Sequence, residues 1–222
     1  WANAQTVSYA FKRAPGFFDM VCYTGTGVAR TVSHNLTVTP EMIIVKERTS
    51  PTEGGAAGYW FVYHSGLSTP ASGAVFLNST DARNAASAWN STAPTSTVFS
   101  LGTNYVDFDA TKKYIAHLFA TRAGVSKVGS YTGDGTSGKV IACGFSSSAR
   151  FVMIKLTDST GDWFVWDTAR GIAAGNDPHF SLNATVAEVT TNDSIDSDSS
   201  GFIVNQVAAT NINVNAATAS FS

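Results

Sequence analysis

The sequence predicts an all-β protein of two tandem sandwich-like repeats of about 108 residues, with antiparallel strands and little helix. Short clusters of β-branched and aromatic residues alternate with Gly, Asn, Ser and Pro turns at spacings of about ten residues. Much of the first half also returns in the second, since the Tyr-Thr-Gly block at 23–25 recurs at 131–133 and Trp-Phe-Val at 60–62 recurs at 163–165. A period this long favours a tandem pair of domains over a solenoid, whose units are shorter.

The first repeat is predicted to contain six strands, each a β-branched or aromatic run bounded by turn residues. They span residues 28–32, 42–46, 59–64, 74–77, 97–101 and 113–119. The strand at 59–64 is apolar on both faces, with Trp60 and Val62 on one side and Phe61 and Tyr63 on the other. Such a strand is covered on both sides, as in a sandwich or an inter-domain contact. The only helix-like stretch is the alanine-rich segment 81–89.

The second repeat is predicted to repeat this order with shorter connections. Its strands span residues 139–142, 151–155, 163–167, 179–182 and 201–207, followed by a weaker closing strand at 216–221.

The Tyr-Thr-Gly-x-Gly blocks at 23–27 and 131–135 are predicted to be β-turns, because glycine accepts positive φ and no helix or Lys-Ser/Thr pair follows as in a phosphate-binding loop.

Three segments follow from the repeat frame. Residues 17–124 form the first β-repeat and residues 125–222 the second, and residues 6–11 match the closing strand at 114–119. We therefore expect residues 1–16 to be the closing strand of a preceding unit in a longer protein, or an N-terminal strand that links the two repeats. The sequence does not decide between these alternatives.

The amino-acid composition argues against two kinds of partner, nucleic acid and the membrane interior. Charged residues make up 14% of the chain and the net charge is −2. Nucleic-acid binding needs a basic surface, so no nucleic-acid partner is expected. Apolar runs are too short for a transmembrane helix, so no membrane insertion is expected.

The sequence predicts no catalytic residue, no cofactor and hence no enzyme. Histidines at 34, 64, 117 and 179 are scattered, and no Gly-x-Ser-x-Gly elbow is present. Asp193, Asp196 and Asp198 place oxygens at alternating positions, as in part of a calcium loop, but Val207 stands where such a loop has its bidentate glutamate. A solvated turn is favoured and no metal site is predicted, with calcium binding left open.

Two lysines are retained between the repeats while their neighbours change. Lys46 and Lys155 each end an apolar strand. The simpler interpretation is that the stem packs on the sheet while the ammonium reaches water. The alternative is a repeated cation for an interface carboxylate.

Several motifs resemble a repeat domain of bacteriophage virion proteins. The matching segments cover nearly the whole chain, at residues 27–36, 40–46, 60–64, 78–80, 88–90, 94–102, 129–133, 151–155, 158–163 and 167–170. Such domains occur in large structural or tail-fibre-like proteins of marine and cyanobacterial phages, often beside lectin-like sandwich domains. The resemblance implies a place in the virion more firmly than an activity, and it brings no catalytic residues.

These observations together predict a non-enzymatic virion structural protein: a tail-fibre, tail or capsid-surface component acting in assembly and display at the particle surface. Its expected partners are other virion proteins and copies of itself in a homo-oligomer. The alternative is a receptor- or glycan-binding adhesion module on the virion or cell surface. In that case Trp89 and Tyr105 are the candidate ligand-binding residues, since exposed aromatic rings stack on sugars.

Overall fold

The computed structural model describes residues 7–49, 58–103, 105–107, 110–172, 174–205, 212–216 and 220–222. These residues form sixteen antiparallel strands, which confirms the all-β fold class. The strands are β1 Phe18–Thr24, β2 Arg30–Ser33, β3 Met42–Glu47, β4 Trp60–His64, β5 Gly73–Phe76, β6 Asn84–Ala85, β7 Val98–Leu101, β8 Lys113–Phe119, β9 Tyr131–Thr132, β10 Lys139–Ala142, β11 Phe151–Lys155, β12 Trp163–Asp167, β13 Phe180–Ser181, β14 Ile195–Asp198, β15 Gly201–Val204 and β16 Ser220–Phe221.

Helix occurs in the described chain only as short turns. The α-helix α1 spans Ile212–Asn215, and 3₁₀ turns span Pro70–Ser72 and Ser87–Trp89. None of the helices in the described ranges has the length and apolarity to span a membrane.

The first half of the chain packs two sheets around one core. A six-stranded sheet has the order β1-β8-β3-β4-β5-β6, and β2 pairs with β7 in a second sheet. Ile43, Val45 and Phe61 of the larger sheet share a buried cluster with Phe99 and Leu101 of the smaller one. This arrangement of two sheets over an apolar layer is sandwich-like.

The second half uses smaller sheets around its own core. Strands β11-β12-β13 form one sheet, β10-β15-β14 another, and β16 pairs with β9. A bridge between Leu156 and Phe221 brings β16 beside the end of β11. Ile154, Trp166 and Phe202 lie in the resulting buried cluster.

Some contacts of the first half have a counterpart in the second at the expected spacing. The Tyr23 hydroxyl donates to the Val106 carbonyl at 2.7 Å. The Tyr131 hydroxyl donates to the Val214 carbonyl at 2.6 Å. An internal duplication would produce matched contacts of this kind, but the duplication and the repeat boundaries stay predictions.

The predicted strands agree with the structure most closely where β-branched and aromatic residues are dense. Four of them, 113–119, 139–142, 151–155 and 163–167, have the bounds of β8, β10, β11 and β12. The sequence missed β1, β6, β9 and β14. Residues 206–207 of the predicted strand 201–207 and residues 217–219 of the predicted closing strand lie outside the described residues.

The helix predicted over 81–89 is wrong. That segment holds β6 and one 3₁₀ turn. Its backbone donors bond to distant partners, since the Arg83 amide donates to Thr157 O and the Ala86 amide to Ser72 O. A helix this short has little intrinsic stability, so these long-range bonds outweigh the alanine content.

Candidate functional site

A third apolar cluster joins the two halves of the chain, and we call this junction the seam. The cluster accounts for the two-sided apolar pattern of β4. Phe61 and Tyr63 point into the first-half core, whereas Trp60 and Val62 point into the seam. Because successive side chains on a strand face opposite ways, β4 is covered on both faces, as its sequence predicts. The buried members of the seam are Met42, Ile44, Val62, Leu67, Val75 and Trp163.

Trp163 is the main contribution of the second half to this cluster. It opens β12 and is buried against the first-half sheet. Its indole Nε1–H donates to the Phe76 carbonyl across the seam at 2.8 Å. Its own backbone N–H donates to Asn183 Oδ1 at 2.8 Å, which fixes the start of the strand. Trp163 therefore joins the halves by apolar packing and by a buried hydrogen bond.

Lys155 lies beside Trp163 as its register partner in β11 and is wholly buried. Its ammonium Nζ donates to the Thr80 carbonyl at 3.1 Å and to the Gly161 carbonyl at 2.5 Å. Burial lowers the pKa of Lys155 to about 8, while the Asp162 and Asp81 carboxylates act in the opposite direction.

This position differs from both interpretations that the sequence allowed. The Lys155 ammonium does not reach water. Its hydrogen bonds go to backbone carbonyls on either side of the seam, and no carboxylate lies within ion-pair distance of it in the described part of the chain. Lys46 is the register partner of Trp60 at the equivalent place in β3, but it is only half-buried. The two lysines therefore differ in burial.

Backbone hydrogen bonds extend the seam along its edge. The Arg83 amide donates to Thr157 O at 2.7 Å, and the Gly161 amide donates to Thr80 O at 2.9 Å. A cleft of about 300 Å³ opens beside these bonds, with Arg83 and Asp158 in its wall. The loops 76–83 and 156–163 thus hold each other in place.

The N-terminal segment closes another side of the seam. Residues 7–13 form no strand, yet the Tyr9 hydroxyl donates to Asp167 Oδ2 at 2.7 Å and the Tyr9 ring lies 5.0 Å from that of Phe151. Phe11 contacts Phe119 at 5.4 Å in the first half. Burial alone would raise the pKa of Asp167, but the bonds from Tyr9 and from Arg170 outweigh it and lower that pKa. Residues 7–13 thus contact both halves without forming a strand, while residues 1–6 of the predicted N-terminal strand segment lie outside the described residues.

The two predicted ligand-binding aromatics lie in different environments. Trp89 is 1% exposed, and its Nε1–H donates to the Gly73 carbonyl at 3.0 Å. Neither face of its ring is open to a sugar, because the 3₁₀ turn that carries it packs against the first-half core. Tyr105 is 43% exposed and stacks on Phe61 at 5.2 Å. Tyr59, also exposed, lies 6.3 Å from the same Phe61 ring.

Three of the four histidines, His34, His64 and His179, are buried. His64 Nδ1 accepts the Gly66 amide at 3.0 Å, and burial lowers its pKa to about 4. His179 is buried beside the Trp166 ring. Within the described ranges no histidine ring bonds to a hydroxyl, thiol or carboxylate, the contact that activates a nucleophile or orients a base.

The family of the chain follows from sequence comparison. A family model described as a domain of unknown function, DUF7483, matches residues 4–221, and the chain belongs to this family. The match covers both halves and the seam between them. No curated protein and no solved structure matches the chain.

Proposed function

We propose that this chain is a non-enzymatic structural protein of a bacteriophage virion, in a tail fibre, in the tail or on the capsid surface. It acts in assembly and display, at the particle surface, in contact with other virion proteins and with copies of itself. The resemblance of its motifs to a repeat domain of virion proteins is the support for the virion location. The geometry of the seam supports the mechanical role.

The observation that carries the proposal is that the seam joins the two halves at several independent points. It combines a buried apolar cluster, the Trp163 bond, the Lys155 bonds and backbone bonds between two loops. A single linker would let two domains move relative to one another, whereas a large apolar interface does not. The seam therefore restrains the two halves relative to one another, which is what a displaying element of a particle requires.

The surface is also suited to dense packing in an assembly. Charged residues are only 14% of the chain and the net charge is −2, so copies placed side by side repel one another weakly. Loops rich in Ser, Thr, Asn and Gly can hydrogen-bond to neighbouring proteins without desolvating full charges.

Particle fractionation tests the proposal. Phage particles made from a genome that encodes this chain would be purified on a density gradient, washed in high salt and analysed by quantitative mass spectrometry. We expect the chain to sediment with the major capsid protein at a fixed copy ratio that survives the wash. An abundant host cytosolic protein serves as the control for trapped material. If the chain is recovered only in the soluble fractions, where the control protein is also found, the virion location is refuted.

One observation favours the alternative, a receptor- or glycan-binding module. Tyr59 and Tyr105 are both exposed and both pack on Phe61, so they form a small aromatic surface of the kind on which sugar rings stack. Glycan-array binding that is lost in Tyr105→Ala and kept in Tyr9→Phe would favour this alternative. Tyr9 is a suitable control because its contacts lie at Asp167 and Phe151, away from Phe61.

A further inference from the structure

We propose that Asp177, Asp193 and Asp196 bind a calcium ion in the second half of the chain. Each offers one carboxylate oxygen, and these oxygens all lie within 4.8 Å of one another. The proposal is independent of the virion role, because it concerns only what this group of side chains binds.

Two separate segments bring the carboxylates together. Asp193 and Asp196 lie at the start of β14, whereas Asp177 comes from the loop before β13. The Asp177 amide donates to Asn192 O at 2.8 Å. Asp177 Oδ2 accepts the Ser194 amide at 3.3 Å and the Ile195 amide at 3.1 Å. Asp177 is wholly buried, so its carboxylate is held against β14 inside the protein.

Asn205 orients the other two carboxylates. Its Nδ2 donates to Asp193 Oδ1 and to Asp196 Oδ2, each at 2.7 Å. Its Oδ1 accepts the Gly138 amide at 3.1 Å, and because a backbone amide can only donate, this bond fixes which way the Asn205 amide faces. Asn205 thus sets the direction in which the Asp193 and Asp196 carboxylates point, as residues that hydrogen-bond to metal ligands do.

One carboxylate oxygen of this group is left without a donor. Asp196 Oδ1 is buried and has no hydrogen-bond partner. Buried polar atoms nearly always have a partner, and an unsatisfied carboxylate oxygen is costly. The Asn205 bond occupies the other oxygen of Asp196. A cation held between Asp196 and the fully buried Asp177 would satisfy Asp196 Oδ1 and offset the negative charges that the fold places together.

The donor set and its spacing favour calcium. All ligand atoms are oxygens, the preference of hard cations. Oxygens at about 2.3–2.6 Å from one calcium ion lie at most about 4.6–5.2 Å apart, and the three oxygens meet that limit because they lie within 4.8 Å of one another. Magnesium usually keeps several waters and is held by one or two carboxylates, so a group of three carboxylates suits it less. Calcium also accepts irregular geometry and completes its shell with water or carbonyl oxygens.

The ligand set differs from the one that the acidic stretch suggests. Asp198 belongs to the same alternating pattern, but its Oδ1 accepts the Ser200 amide at 2.8 Å and the Ser200 hydroxyl at 2.6 Å in the turn after β14. It is absent from the cluster. Asp177, sixteen positions before Asp193 in the sequence, takes its place. A bound ion would tie the loop before β13 to the β14–β15 hairpin.

The full chain, stripped with EDTA and then dialysed free of it, would be titrated with calcium chloride by calorimetry and followed by thermal unfolding. We expect binding to a single site and a rise in Tm of roughly 5–10 °C at calcium about 100 times above the Kd. Asp196→Asn, which preserves shape and removes one charged ligand, should weaken calcium binding at least about tenfold. Asp198→Asn is the matched control and should bind as the wild type does.

Three results would overturn the proposal. The first is no heat and no Tm shift at millimolar calcium, the weak end of the range for extracellular sites. The second is equal binding by the wild type and Asp196→Asn, since the ligand set would then be wrong. The third is a Tm shift of the same size with magnesium at the same concentration, which would exclude a calcium-selective site.

Discussion

Replacing Lys155 with methionine should change how the stability of this protein depends on pH. Methionine keeps an unbranched side chain in the seam but carries no charge and no donor. Lys155 is wholly buried, and its pKa of about 8 in the folded protein compares with 10.5 for the ordinary side chain. The difference of about 2.5 units corresponds to about 3 kcal/mol of free energy by which folding disfavours the charged form.

The sign of the effect follows from proton binding. Because the folded pKa is the lower one, the unfolded chain binds more protons between pH 8 and pH 10.5. The free energy of unfolding therefore rises with pH through that window and is unaffected by this group at lower pH. Between about pH 7 and about pH 9.5, linkage gives the wild type a gain of about 2 kcal/mol that Lys155→Met lacks.

At neutral pH two effects of Lys155→Met oppose each other. Removing the buried charge recovers up to about 3 kcal/mol. The Gly161 carbonyl loses its ammonium donor, which costs about 1–3 kcal/mol. The Thr80 carbonyl keeps the Gly161 amide as a donor. We therefore expect Lys155→Met to be neutral or up to about 2 kcal/mol more stable than the wild type at pH 7, the usual outcome when a well-packed apolar group replaces a buried charge.

The assay is urea unfolding of the wild type and of Lys155→Met at intervals from about pH 7 to about pH 9.5. The quantity of interest is the difference between the two free energies of unfolding, because other titrating groups cancel in it. Lys46→Met is the matched control and should keep the wild-type pH dependence, since Lys155 is still in place. A difference that stays constant with pH, or that moves in favour of Lys155→Met, would refute the account of the seam lysine.

Three further substitutions test neighbouring parts of the structure. Trp163→Phe removes the indole hydrogen bond across the seam and leaves a void, so it should lower the free energy of unfolding in urea by about 2–4 kcal/mol. Trp60→Phe, at the half-exposed equivalent position, should lower it by much less. His64 has a folded pKa of about 4 against 6.5 for the ordinary side chain, so wild-type stability should fall as pH drops through that window. In His64→Gln the free energy of unfolding should fall less over this pH range. A loss of stability at low pH equal to that of the wild type would contradict this expectation. Tyr9→Phe removes the hydroxyl bond to Asp167 and should lower the free energy of unfolding by about 1 kcal/mol; a change below a few tenths would show that the N-terminal segment adds little to the seam.

The strands were largely predictable because their signal is local. The run at 151–155 is apolar, β-branched and bounded by turn residues, and it forms β11 as predicted. β14 was missed because its sequence, Ile195–Asp198, is mostly polar and is held in place by pairing with β15. The helix predicted at 81–89 failed for a related reason, because its backbone donors bond to residues far away in the chain.

The site residues depended on contacts that no local pattern carries. The sequence singled out Lys155 but did not predict its burial, which depends on contact with a loop of the first half. Its hydrogen-bond acceptors are backbone carbonyls, and because every residue has one, no sequence pattern marks them. Trp89 looked suitable for stacking on a sugar because of its aromatic ring, yet its turn directs the ring into the core. Asp177 escaped notice because hydrogen bonds between the loop before β13 and residues 192–195, and not sequence spacing, bring it to Asp196.

A map of the native phage particle at side-chain resolution, obtained by electron cryo-microscopy, tests the central claim most directly. We expect density for this chain in a tail fibre, the tail or the capsid surface, with both halves present and Trp163 enclosed at the seam. The chain should contact virion proteins or copies of itself in that map. A complete map of the particle without density for this chain would contradict the proposed virion role.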